Sequence, residues 1–74
     1  MATYPKIKVK LSGKDGNAFA IMGNVKSALR KGLVQHYNMN GTQAQEICDN
    51  YIKESMSGDY DNLLCTAMDY VTVS

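Results

Sequence analysis

Few residues in this chain have types that could do chemistry. Cys48, Cys65 and the single histidine, His36, could supply three metal ligands and are its only thiol–imidazole combination. A zinc site is usually announced by a tight pair such as C-x-x-C, which places two ligands on one turn, and no such pair is present. A cysteine–histidine couple is permitted by composition, yet neither cysteine has a glycine-bracketed turn around it to expose the sulfur. Both fall on the apolar stripes of expected helices and read as small buried hydrophobes. Asp59, Asp61 and Asp69 lack the continuous loop of oxygen ligands that calcium requires. No catalytic residue, metal ligand or cofactor is therefore assigned, and the chain reads as a non-enzyme.

One loop has the outline of an anion site. Ser12-Gly13-Lys14-Asp15-Gly16-Asn17 joins an expected strand to an expected helix start, where backbone N–H groups and the helix dipole can hold a phosphate. The glycine spacing fits neither the dinucleotide fingerprint nor the lysine-bearing triphosphate loop, and Asp15 opposes an anion. The candidate ligand residues are Gly13, Lys14, Gly16 and Asn17, joined by Gly58 and Tyr60 at a second expected helix beginning. A plain connecting turn explains the same residues.

The basic residues form the other candidate. Lys6, Lys8 and Lys10 alternate along a strand, and Lys26, Arg30 and Lys31 follow on a helix. Lys6, Lys8, Lys10, Lys26 and Arg30 are the candidate partner-binding set. The overall charge of +1 hides a division: with Lys14 included, seven cations face only Asp15 in residues 1–37, a net +6. Residues 38–74 carry a net −5, Lys53 against Glu46, Asp49, Glu54, Asp59, Asp61 and Asp69. Such polarity serves partner binding or self-association, or is simply two solvated surfaces. Nucleic acid is not favoured: the pI is about 7.7, tryptophan is absent, and Tyr4 is the only aromatic beside the lysine strand.

These side chains must be positioned by elements legible in the pattern. Lys6 to Leu11 alternate strictly, placing Ile7, Val9 and Leu11 on one face and the lysines on the other. After the loop the period changes. Ala18, Met22, Val25, Leu29 and Leu33 recur at helical steps, with Phe19, Ile21 and Ala28 widening the stripe and Asn17 as cap. This helix extends to about Gln35–Tyr37, and Gly23 offers a point of close backbone approach. Thr42 and Gln45 fit a capping box opening a second helix with Ala44, Ile47, Cys48, Tyr51, Ile52 and Met56 on its face. Gly58 is expected as its left-handed stop. Asp59 and Asp61 suit the positive end of a third helix, whose face is Tyr60, Leu63, Leu64, Ala67 and Met68. Tyr70 to Ser74 alternate as a final strand. The expected fold is α+β, ordered β-α-α-α-β, with the two terminal strands paired and the helices on one face; strand orientation is left open.

At 74 residues the chain is one domain, and its 45% hydrophobic and 20% charged residues exclude disorder and coiled-coil rods. A domain this small buries only about 60% of the surface of its unfolded chain, so association with further copies is expected, edge strand to edge strand. No apolar run approaches a signal sequence or a membrane span, so the expected location is the cytoplasm with reduced cysteines.

The segments DGNAFAIMG (15–23), SGDYDNLL (57–64) and MDYV (68–71) give the chain a family likeness. It resembles a family of small phage- and prophage-encoded proteins in which a lysine-rich strand leads into a DGNAF turn-helix and an SGDYD-LL turn-helix leads into a last strand. The likeness covers nearly the whole chain, least over residues 34–46, and brings no catalytic residue or cofactor with it. It implies an accessory protein that acts by binding in the host cell, inhibiting a host component such as a defence protein through protein–protein contact. An alternative it implies is sequestration of a nucleotide signal at an oligomer interface; the lysine-rich face itself leaves weak nucleic-acid binding as another.

Overall fold

The computed structural model describes residues 2–10 and 17–74. Strand β1 (Tyr4–Val9) is followed by helices α1 (Ala18–His36), α2 (Gly41–Ser55) and α3 (Tyr60–Tyr70), and α3 passes directly into strand β2 (Val71–Val73). This is the expected α+β order, β-α-α-α-β. The strands pair in parallel, Val9 beside Val73, Lys8 beside Thr72 and Tyr4 beside Val71. Parallel neighbours need a crossover, and the three helices supply it.

Ile7, Val9 and Val71 point into a core shared with Val25, Leu29 and Leu33 of α1, Cys48 and Tyr51 of α2, and Leu63 and Ala67 of α3. Lys6, Lys8 and Lys10 are exposed, as the alternation requires. The register breaks between Tyr4 and Lys8, where Pro5 has no N–H to offer the ladder. Side chains take over the orphaned groups: the Thr72 hydroxyl donates to the Pro5 carbonyl at 2.9 Å, and the Lys6 N–H donates to the Tyr37 hydroxyl at 3.2 Å. Leu11 lies outside the described residues.

The helix ends show where short polar residues compete for the backbone. Asn17 caps α1, its side chain accepting from the Phe19 N–H at 2.9 Å, as expected. The box of α2, however, opens two residues before the Thr42–Gln45 pair. Asn40 accepts from the Gln43 N–H at 2.8 Å, and the Gln43 side chain accepts from the Asn40 N–H at 3.2 Å. Asparagine caps at least as well as threonine, so the earlier start wins. Gly58 is not left-handed; Asn38 holds the positive φ, 53°, and lets the Met39 N–H reach the Leu33 carbonyl. Gly58 instead leaves room for Asn62, whose Cβ would stand 2.9 Å from a Cβ at 58. Asn62 uses that room to donate to the Glu54 carbonyl at 3.1 Å.

The close approach expected at Gly23 occurs at Gly32. A Cβ at Gly23 would meet no described atom, whereas one at Gly32 would overlap the branched Ile7 side chain, with Ile7 Cδ1 at 2.8 Å. Because Ile7 is buried and β-branched, it cannot swing aside. Gly32→Ala should therefore lose about 1–3 kcal/mol in urea unfolding despite alanine's better helix propensity, while Gly23→Ala should gain up to about 1 kcal/mol.

A ladder of tyrosines runs from the core to the sheet: Tyr51 meets Tyr70 at 5.3 Å, Tyr70 meets Tyr4 at 6.4 Å, and Tyr4 meets Tyr37 at 5.2 Å between centroids. Burial pushes the Tyr70 phenol up to about 12, with the Glu54 carboxylate beside it adding to the shift. The unfolded phenol ionises near pH ~10. Between these values the unfolded chain has released a proton that the folded chain keeps, so stability is full below about pH 10 and falls as pH rises toward 12. Denaturant midpoints measured across that range should fall for the native chain and fall less for Tyr70→Phe.

Candidate functional site

The beginnings of α1 and α3 and the end of α2 converge on one cavity of about 260 Å³. Ala18, Phe19 and Met22 come from α1, Ser55 and Met56 from the end of α2, and Tyr60 and Leu63 from α3, with Gly58 and Asp59 at the turn between. The capping chemistry is what brings them together. Asn17 starts α1 so that Phe19 falls in its first turn, and Asp59 starts α3 by accepting from the Asn62 N–H at 2.9 Å.

The walls are apolar and open to solvent. Phe19 is 73% exposed, Met56 61% and Tyr60 44%, while Met22 and Leu63 form the buried floor. Phe19 and Met56 thus belong to the surface, not to the core stripes on which the helical period puts them. Both lie at helix ends, where the stripe runs past the edge of the neighbouring helix. Ser55 lines the cavity, and its hydroxyl is shut off from solvent. It and the Tyr51 hydroxyl, neighbours on successive turns of α2, are buried without a sound hydrogen bond to each other or to any described group.

Of the candidate anion residues, Asn17, Gly58 and Tyr60 stand at this convergence, and Gly13, Lys14 and Gly16 lie outside the described residues. The only charged group in the described lining is the Asp59 carboxylate, which already occupies the positive end of α3.

The basic set falls on two faces of α1. Lys6 and Lys8 rim a shallow depression of about 180 Å³ together with Lys31 and His36. Arg30 lies toward α2, bordering Glu46 and Asp49, and the charges of Lys26 and Arg30 both bear on Cys48. Lys10 is exposed at the end of β1.

Cys48 is buried as expected, its sulfur 3.7 Å from the Lys26 carbonyl. Burial pushes its thiol up, more than Lys26 and Arg30 draw it down, which is the opposite of what a nucleophile needs. Cys65 departs from the buried reading: it is exposed on α3 beside the stripe, not on it. Among the described residues no group of three or more histidine, cysteine or acidic side chains could hold a metal ion. No described helix is long and apolar enough to cross a membrane.

Compared with protein-family models, curated proteins and solved structures, the chain matches none.

Sequence patterning missed Ser55, because a serine inside a helix carries no signal apart from its neighbours, and it assigned Met56 to the core stripe of α2 although it is exposed. The buried Ser55 hydroxyl has a measurable consequence. Ser55→Ala removes an unsatisfied group and adds a better helix former, so urea unfolding should show a gain of about 0.5–1 kcal/mol.

Proposed function

We propose that the protein works by binding another protein, its apolar cleft between α1, α2 and α3 receiving one side chain of the partner. The observation that carries this reading is the exposure of Phe19, 73%, beside Met56 and Tyr60 around a cavity with a buried apolar floor. Exposed aromatic and methionine side chains grouped around a hollow are typical anchors of protein interfaces. At about 260 Å³ the hollow suits one side chain better than a nucleotide, whose phosphates would also meet Asp59. A partner with a large apolar residue flanked by lysine or arginine complements both the walls and the Asp59 carboxylate at the rim.

The resemblance to phage- and prophage-encoded proteins supports a host component, such as a defence protein, as the partner, met in the host cytoplasm and inhibited by occupation without catalysis. A second reading rests on the depression rimmed by Lys6, Lys8, Lys31 and His36, whose charge favours an anion such as a nucleotide phosphate or a nucleic-acid backbone. Affinity that falls steeply with salt and is lost in Lys8→Glu marks that reading.

Capture from host lysate should give a stoichiometric complex that is lost in Phe19→Asp and kept in Lys8→Glu. Because Phe19 is mostly exposed, thermal melting of Phe19→Asp should stay within about 0.5 kcal/mol of the native chain. Retention of the complex in Phe19→Asp would remove the cleft reading. Native mass spectrometry of the same variant covers self-association: an oligomer that dissociates on this substitution makes a second copy the occupant.

A further inference from the structure

We propose that a second cavity, formed where β1, α2 and α3 meet, binds an organic cation of the guanidinium class, with an arginine side chain as the best-fitting form. The cavity measures about 330 Å³, large enough for one arginine side chain. Glu54 of α2 and Asp69 of α3 line it, and no basic side chain stands among the described lining residues. Two tyrosine rings, Tyr4 and Tyr70, complete the walls with their planes 36° apart, and Ile47 and Asn50 close the α2 side.

Each component points to the same ligand chemistry. Two carboxylates on one cavity oppose anions, and each can accept the forked N–H groups of a guanidinium. Tyrosine faces attract cations and stack on planar ones, with energies of about 0.5–2 kcal/mol per contact. A hard metal ion would find two carboxylates but, among the described residues, no third histidine, cysteine or acidic side chain, and the aromatic walls offer it nothing. The Tyr70 phenol, raised first by burial, is raised further by the Glu54 carboxylate, whose negative charge bears on the same cavity.

The site is also built in advance of any ligand. Tyr4 is held edge-on by Tyr37, with centroids 5.2 Å apart, and Tyr70 is held edge-on by the fully buried Tyr51 at 5.3 Å. Thr3 clamps the backbone at Asp69, its N–H and its hydroxyl donating to the Asp69 carbonyl at 2.8 and 3.0 Å. The rings and the Asp69 backbone are therefore fixed before binding, which lowers the entropy cost of capturing a small cation.

The test is an NMR titration of the isotopically labelled full chain with Nα-acetyl-arginine amide, with the neutral isostere Nα-acetyl-citrulline amide as comparison. Expected are saturable amide shifts centred on Thr3, Tyr4, Asn50 and Tyr70, at least about tenfold weaker for citrulline, and weakened about tenfold by Glu54→Gln or Asp69→Asn. The citrulline comparison needs no variant, so a substitution that disturbs folding leaves the result intact. Agmatine, added in parallel, separates the sources. Tighter binding of blocked arginine assigns the cation to a protein, tighter binding of agmatine to a free amine, and either supports the site. Shifts that do not saturate, that are equal for arginine and citrulline, or that centre away from this cavity overturn it.

Discussion

Helix α1 lies on β1 at a distance set by the missing side chain at position 32. Ile7 fills the space where a Cβ would stand, so helix and strand meet through backbone on one side and a stiff, branched side chain on the other. That contact matters more here than it would in a larger protein. The sheet has only two strands, and β2 is three residues long, so the ladder itself contributes little. What holds β1 in place is the helix pressed against it. What holds β2 is its fusion to α3 and the burial of Val71 in the same core. The parallel pairing is then the outcome of where three packed helices deliver the chain.

The elements and their order were legible because each has a clean period: two in Lys6 to Val9, and close to three and a half in the helices. Strand direction was not, since alternation is the same in either orientation and only helix packing decides it. The cap of α2 was misplaced because Asn40 and Thr42 are both competent caps, and local sequence does not weigh one against the other. Gly58 and Gly32 show the same limit from another side. A glycine can be selected for a positive φ or for lack of volume, and only the neighbour in space, Asn62 or Ile7, tells which. The candidate cleft was half legible: the capping residues Asn17 and Asp59 announced two helix beginnings, and Gly58 and Tyr60 were grouped with the first of them as candidate ligand residues. The exposure of Phe19 and Met56 was hidden, because a helical stripe carries no record of where the opposing helix ends.

The charge division of the chain has a structural counterpart that softens it. Arg30 lines one hollow with Glu46 and Asp49 of α2, so part of the basic first half lies near part of the acidic second half inside one fold. The uncompensated remainder is split between regions. Lysines with His36 rim the depression beside β1, while Glu54 and Asp69 line the tyrosine-walled cavity. Net charge near zero therefore coexists with local fields of opposite sign, which act on partner choice and association rate more than on stability.

The last turn of α2 joins the two cavities. Glu54 lines the tyrosine-walled one, and its immediate neighbours Ser55 and Met56 line the apolar cleft. The same turn is tied at its carbonyl end by Ser57 and Asn62, both donating to the Glu54 carbonyl. Yet it carries the buried, unpartnered hydroxyl of Ser55 above that of Tyr51. Polar groups left unsatisfied in a core of this size are a stability cost that a purely structural helix would shed by placing alanine or phenylalanine there. The two hollows therefore share a wall in this turn, and among the described residues it is here that the core leaves side-chain hydroxyls unpaired.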